Sequence, residues 1–526
     1  MTNKVFSILK EYGLLAGDKK VIDFLSQLDE DEIRKILLKV KKKNVMVIKL
    51  EHVKMFKETT EITIEKKENK ISISKKNTTS ILQFIQIKEE SKEIKETKKE
   101  EEVEIIHTTK KPEDVDTSIE IIKPIEAKAK KWTVQDFVNF YKNKLDFYKR
   151  LLKGRLNPIS IRNVLNLKEN TEVSIIGRVF EIVKRDNYAS LVLEDTTGRV
   201  IVKLFPDTPA WEKLKMMVPD DIVGVQGIVG KNASIIAKDI IYPDIPTKQI
   251  KRANDDVYAL FITDIHVGSK YFLENHFKKF LDWLNLKKGD IEIAKKVKYL
   301  IITGDLVDGV GIYPEQEKEL VITDIEEQYE YFAKLLTEYL NRDDIKVILI
   351  PGNHDAVRLE EPQPPIPRDI AKSLYREGFY LLPNPSWVRI HKKDDFEGFD
   401  LLLYHGYAFD WIISNTEAVM DGYLHPEKVM QLLLVKRQLF SGHGSSPYVP
   451  QLPDPFLIDI VPDIFVTGHI HRVGLGEYKG TILLNAGCWQ ETTPFQKKVG
   501  HVPDPGKAIA INLKTRDKTI LKFYEN

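Results

Sequence analysis

Carboxylates, imidazoles and one amide recur in the second half of this 526-residue sequence, each at the end of an apolar run. Asp264-Ile265-His266 follows VYALFIT, Gly304-Asp305 follows VKYLIIT, and Gly352-Asn353-His354-Asp355 follows KVILIP. His405-Gly406 follows DLLLY, and Gly468-His469-Ile470-His471 follows DIFVT. Each run reads as a buried strand opening into a loop, which is where parallel α/β sheets present reactive groups. The ligand types so collected are the carboxylates Asp264 and Asp305, the imidazoles His266, His405, His469 and His471, and the amide oxygen of Asn353. Two cations about 3.5–4 Å apart, sharing a carboxylate, can clamp the attacking and leaving oxygens of a phosphoryl centre. The pattern therefore predicts a metal-dependent hydrolase. Imidazole-rich ligation favours manganese, iron or zinc over magnesium alone.

An extended backbone through Asp264-x-His266 and His469-x-His471 would send both side chains of each pair to one side. Gly304, Gly352, Gly406 and Gly468 are expected to permit close backbone approach and positive φ beside the ligands. Any one of these motifs alone is more often ordinary structure than a ligand set. Their specificity lies in the whole series, in order, each at a strand end.

The elements that must position these loops lie in residues 251–526, where strands and helices alternate as in a layered α/β domain. Upstream, the length implies further domains. Residues 1–48 read as a small helical docking domain: VFSILKEYGLL, VIDFLSQL and IRKILLKV carry helical apolar spacing. Residues 49–130 are rich in Lys, Glu, Thr and Ile and lack glycine and arginine, so they read as a charged disordered linker. Alternating pieces within it, such as EITIEKKENKISISKK, are candidates for strands formed on a partner. Residues 131–164 read as a helical connector, with Thr133 as cap and Gln135 as weak support. Its stripe of Trp132, Phe137, Phe140, Tyr141, Leu145, Tyr148 and Leu152 reads as a packing surface. Residues 165–250 form short β runs broken by turns, in an order that resembles a five-stranded OB-fold barrel. Such a barrel either contacts single strands through its strand face or packs as scaffold, and the sequence favours neither.

Lys and Arg total 80 against 79 Asp and Glu, a net charge of +1, so any nucleic-acid contact must come from local patches. The single cysteine, Cys488, excludes an internal disulfide framework and reads as a small buried residue. The N-terminus lacks a long apolar signal region, and no run approaches the roughly 18 apolar residues of a membrane span. A cytoplasmic protein with no membrane partner is the expectation. Arg358, Arg472, Lys497 and Lys498 are candidates for phosphate contact, although solvated charge is the commoner role for each. The proline-rich stretches 361–367 and 446–455 read as rigid loops near the site mouth.

Over about residues 255–510 the motif series resembles the calcineurin-like metallophosphoesterase superfamily, whose pattern is D-x-H, G-D, G-N-H-D/E, H-G and G-H-x-H. Taken with the barrel, the helical N-terminus, the linker and FLIDIVPDIFVTGHIHRVG, the chain resembles the small subunits of archaeal family D DNA polymerases. The resemblance implies one metal on Asp264, His266, Asp305 and His471, and a second on Asp305, Asn353, His405 and His469. It further implies that His354 sits beside the scissile group without binding metal, and that Asp355 orients and charge-stabilises His354. Asp308 is left open, as a support for the bridge or a helix cap. No motif position is missing, which implies a competent enzyme.

The implied activity is a manganese-type two-metal 3′–5′ exonuclease acting on single-stranded or mismatched DNA, with iron or zinc as alternative metals. The implied partners are a large catalytic polymerase subunit, primer-template DNA, and a sliding clamp or other replication factors. Two rival readings remain at this stage. One is a mainly structural subunit bridging the polymerase and its accessory factors; the other is a phosphomonoesterase.

Overall fold

The computed structural model describes residues 115–524 apart from 128, 441 and 443, together with isolated positions between 15 and 48. The chain divides into two compact units, residues 1–106 and 107–526. In the first, β1 (Leu15–Ala16) pairs in parallel with β2 (Val47–Ile48). Leu25, Ile33 and Leu37 are helical and buried, as expected of an apolar helical face. Most of the expected linker, including the EITIEKKENKISISKK stretch, lies outside the described residues.

The linker expectation fails at its C-terminal end. Ile119–Lys123 forms β3, which pairs antiparallel with a strand more than 260 residues further on, Ile390 opposite Ile119. Ile119 packs against one buried cluster, and Ile122 and Ile125 against another, so its isoleucines anchor a segment whose Lys and Glu suggest solvation.

Helix α1 (Val134–Lys153) carries a capping box, but its partner is Asp136 rather than Gln135. Thr133 Oγ1 accepts from Asp136 N at 3.3 Å, and the Asp136 carboxylate accepts from Thr133 N at 2.8 Å. Leu145, Phe147, Tyr148 and Leu152 wedge between Ile176 and Ile222 of the barrel and Leu457 of the following domain. The aromatic stripe is thus a packing surface.

The barrel consists of β4 (Glu172–Lys184), β5 (Ala189–Asp195), β6 (Gly198–Leu204), β7 (Ile222–Val229) and β8 (Ile235–Ile241). It closes in the order β4-β5-β6-β8-β7, with alternate residues such as Leu191, Leu193, Val200 and Val202 buried inside. Gly227 is required there, because a Cβ would lie 2.2 Å from the Ile236 carbonyl oxygen.

The remaining chain is a sandwich of two six-stranded sheets covered by helices. β9 (Tyr258–Ile262), helix α2 (Glu274–Leu284), β10 (Val297–Thr303), helix α3 (Ile325–Tyr339), β11 (Lys346–Ile350) and β12 (Phe379–Leu381) build the parallel part of the first sheet. The second sheet contains β13 (Ser386–Ile390), β14 (Phe399–Leu403), β15 (Ile464–Thr467), β16 (Val473–Tyr478) and β17 (Thr481–Ala486), with β3 at its edge. Helices α4 (Phe409–Asn415) and α5 (Pro426–Lys436) cover it, and helix α6 (Pro494–Val499) follows β17. β18 (Lys507–Asn512) and β19 (Lys518–Lys522) return antiparallel to the edge of the first sheet beside β9.

The continuous apolar runs now have a cause. Leu300 and Ile302 face α2 and α3, while Tyr299 and Ile301 face the second sheet; Leu401 and Leu403 meet them, and Leu402 faces α4 and α5. A strand buried on both faces has no polar side, so period-two alternation disappears from its sequence. Among the described residues no helix is long and apolar enough to cross a membrane.

Candidate metal centre

The loops leaving β9, β10, β11, β14 and β15 meet at one edge of the sandwich and bring all the candidate ligands together. They do so with a backbone other than the extended one expected. Asp264, His266, Asp305, His469 and His471 have φ of 51°, 55°, 49°, 69° and 57°, the left-handed region that costs a non-glycine residue about 1–3 kcal/mol. Hydrogen bonds hold these turns: Ile265 N donates to Asp305 O at 2.8 Å, and His469 N donates to Asp264 Oδ2 at 2.9 Å. The glycines divide their work. Gly304 and Gly406 take positive φ, whereas Gly352 and Gly468 allow close approach.

The ligands fall into two groups. In the first, His471 Nε2 lies 3.2 Å from Asp264 Oδ1 and 3.1 Å from His266 Nε2. In the second, Asn353 Oδ1 lies 3.1 Å from His405 Nε2 and 3.0 Å from His469 Nδ1. Asp305 stands between them, its Oδ2 3.3 Å from His405 Nε2 and 3.8 Å from His266 Nε2.

The donor set fits divalent cations, and the tautomers show why. His266 donates Nδ1–H to Asp308 Oδ1 at 3.1 Å, His405 donates Nδ1–H to the Thr303 carbonyl at 2.8 Å, and His469 donates Nε2–H to Asp410 Oδ2 at 2.9 Å. Each thereby turns its other nitrogen, a lone pair, toward carboxylate or amide oxygens. Acceptors that converge in a buried space repel unless a cation joins them. Burial disfavours charge here, yet the imidazoles of His405, His354 and His266 hold Asp305 well below the usual carboxylate range. Against the same burial, Asp305 and Asp264 push His405 up to about 10. The carboxylates demand positive charge, and a proton on His405 supplies part of it when no metal does.

His354 is held beside this centre. Its Nδ1–H donates to the Asp308 carbonyl at 2.8 Å, its backbone N donates to Asp305 Oδ1 at 2.8 Å, and its ring lies 4.8 Å from that of His266. The role expected of Asp355 is not borne out by its contacts. Its carboxylate accepts from Gly352 N at 2.8 Å, Tyr329 OH at 2.8 Å and Leu306 N at 3.3 Å, and does not face His354. The turn folds Asp355 back onto its own loop, where it ties the Asn353 loop to the Asp305 loop. Burial, then the charge of Asp305, raises it to about 6. Asp308 supports the centre twice, its carboxylate on His266 and its carbonyl on His354. Gln490 and Gln316 donate to that carboxylate at 3.1 and 3.0 Å.

Arg358 closes its own loop through the Pro362 carbonyl, and Arg472 is engaged with Val502 O and Asp504. Lys497 and Lys498 are exposed on α6, whose Phe495 and Gln496 line the cavity over the metal centre. The proline-rich loops pair with each other and do not line that cavity: Glu361 N donates to Pro447 O at 3.0 Å and Val449 N to Glu361 O at 2.9 Å. The first of them braces the ligand loops from beneath. Gln363 donates to Gly352 O at 3.1 Å and accepts from Asn384, whose carbonyl oxygen accepts from His405 N at 2.9 Å. Cys488 is buried, as expected.

Sequence reading missed Asp410, Tyr423 and His501. Asp410 sits in the first turn of α4, with Tyr423 OH donating to it at 2.9 Å. No spacing rule links it to His469, 59 residues on.

The profile of calcineurin-like phosphoesterases matches residues 258–473, and that of the OB-fold nucleic acid binding domain matches residues 173–241. The DNA polymerase II small subunit of Archaeoglobus fulgidus is 37% identical over 426 residues, covering 79% of this chain and 83% of that protein. That of Methanocaldococcus jannaschii is 36% identical, covering 76% of this chain and 68% of the relative. That of Methanothermobacter thermautotrophicus is 38% identical, covering 72% and 78% respectively. A phosphoesterase domain, a closed barrel ahead of it, and similarity across most of both lengths lead to one conclusion: the chain belongs to the family of DNA polymerase II small subunits.

Proposed function

We propose that this chain is the proofreading subunit of a two-subunit DNA polymerase, a 3′–5′ exonuclease that removes terminal nucleotides from single-stranded or mismatched DNA. The observation that carries the reading is the position of Asp305 between two complete ligand groups. Asp264, His266, Asp305 and His471 would hold one divalent cation, and Asp305, Asn353, His405 and His469 the other, with manganese the best match to mixed imidazole and carboxylate ligands. Bound cations supply the Lewis acidity that readies water for attack and neutralises the phosphoryl oxygens.

The side chains do the rest. Water oxygen bonds to phosphorus as the bond from phosphorus to the 3′ oxygen of the shortened strand breaks, releasing a 5′-mononucleotide. His354, anchored through Nδ1 to the Asp308 carbonyl, has Nε2 left to give a proton to that departing oxygen. Asp308 keeps the His266 and His354 rings in register, and Asp355 holds the His354 loop to the Asp305 loop. The name of the relatives, a small subunit, supports a larger catalytic partner for this chain. The barrel and a sliding clamp are further candidates for DNA and protein contact.

Digestion of 3′-labelled and 5′-labelled oligonucleotides with manganese, beside an Asp305→Ala control, tests the reading. Stepwise loss from the 3′ end that disappears in the control is expected. Hydrolysis of small phosphomonoesters with single-stranded DNA left intact would reject it.

A further inference from the structure

The cavity over the metal centre, about 390 Å³, has a second wall that binds no metal. Tyr423, Phe495 and His501 line it together with Ile470. The rings of Tyr423 and His501 lie 4.2 Å apart at 33°. This pair is tied to the ligands: Tyr423 OH donates to Asp410 Oδ1 at 2.9 Å, and Asp410 Oδ2 accepts from His469 Nε2 at 2.9 Å. Phe495, which lines the cavity, is 65% exposed, and Val499 and Val502, a few residues on, are 46% and 58% exposed. Met420 and Leu424, beside Tyr423, are 69% and 51% exposed. Exposed apolar and aromatic side chains gathered at the rim of a cavity are a feature of binding sites.

The position and charge of the rim select its occupant. It lines the cavity of a phosphoryl site, and exposed Lys497 and Lys498 share the short helix that carries Phe495. Ring faces that accept any base, beside cations that accept phosphate, are how single strands are held without sequence readout. We propose that Tyr423, His501 and Phe495 form a stacking subsite for the unpaired bases at the strand terminus, and that stacking sets a preference for frayed ends. The inference rests on the nuclease reading above. A base paired at a duplex end has its inner face covered by its neighbour and its edge tied to its partner, so a strand that has left the helix offers these rings faces that a paired end holds back.

Two measurements on the full-length chain test it. The first compares manganese-dependent cleavage of a 5′-labelled single-stranded oligonucleotide with the same strand ending in three abasic residues. The abasic end should raise KM about ten- to a hundredfold. Phe495→Ala and His501→Ala should raise KM for the ordinary strand toward the abasic value, and Phe495→Trp should restore it. Equal KM for both strands with the unsubstituted chain overturns the proposal.

The second measurement needs no turnover. A 3′-terminal 2-aminopurine on the oligonucleotide should lose fluorescence when bound by the Asp305→Ala chain, and recover it when Phe495→Ala and His501→Ala are added. This arm decides the subsite even if the chain cleaves no DNA, the outcome that defeats the nuclease reading alone. Strand binding with no quenching would overturn the proposal.

Discussion

At the residue scale, the centre depends on side chains that never touch a metal. Asp308 sets the tautomer of His266, so Asp308→Asn should weaken manganese binding about 10–100-fold while the fold survives. Titration calorimetry would measure it, and unchanged affinity would deny the Asp308–His266 contact any influence on the metal. His354 contributes differently. His354→Ala should lower strand cleavage about 10²–10⁴-fold and leave metal content intact, since its contacts run to the Asp308 carbonyl and not through a ligand. Near-normal turnover in that variant would remove its role as acid.

Glu361 gives the fold a pH dependence of its own. Burial outweighs the hydrogen bonds from Ser446 and Tyr404 and pushes its carboxyl up to about 7. An unfolded glutamate titrates near about 4.3, so between those values the folded chain retains a proton that the unfolded chain releases. Stability from this group is full below about pH 4 and is lost as pH rises through 7, by about 3 kcal/mol. Glu361→Gln should flatten that decline and raise the melting temperature at pH 8. Parallel melting profiles for the two chains from pH 4 to 8 would refute this.

At the element scale, the loops are set by how closely their backbones pass. A Cβ on Gly352 would lie 2.2 Å from Asp305 Oδ1 and 2.6 Å from Asp305 N, inside the loop that carries Asp305. Gly352→Ala should therefore abolish binding of both cations. Gly154→Ala, at the C-cap of α1 with αR geometry and nothing within 4 Å, should leave binding unchanged. Full manganese stoichiometry in Gly352→Ala would show that the Asp305 loop yields at little cost. The strands themselves were legible because each is a short apolar run ended by a turn. β3 was not, because its isoleucines gain burial only once β13 and the sandwich core exist.

At the scale of the whole molecule, the barrel and the sandwich are joined by an ion pair that solvent does not reach. Asp221, at the barrel end of β7, accepts from Lys436 of α5 at 2.7 and 2.9 Å, and both side chains are 1% exposed. Removing one member strands the other charge, so Asp221→Ala should cost about 3–5 kcal/mol, whereas replacing both with apolar residues of similar volume should be near neutral. Denaturant melts of the single and double variants would show this. A small loss in the single variant would mean that water reaches Lys436.

The family and the candidate ligand series were legible in the sequence, because a motif at the end of a buried strand is a local signal and its order along the chain is a signature. So were the barrel, through turn spacing, and the packing role of α1, through its apolar stripe. It takes the fold to reveal that Asp355 fastens a loop while Asp308 orients the imidazoles. Asp410 and Tyr423 likewise reach His469 only in three dimensions, and so does the first proline loop in bracing the Gly352 and His405 loops. Those relations join residues brought together by which strands become neighbours in two stacked sheets. That choice is made by burial on both faces of each strand at once, a property that no stretch of sequence holds alone.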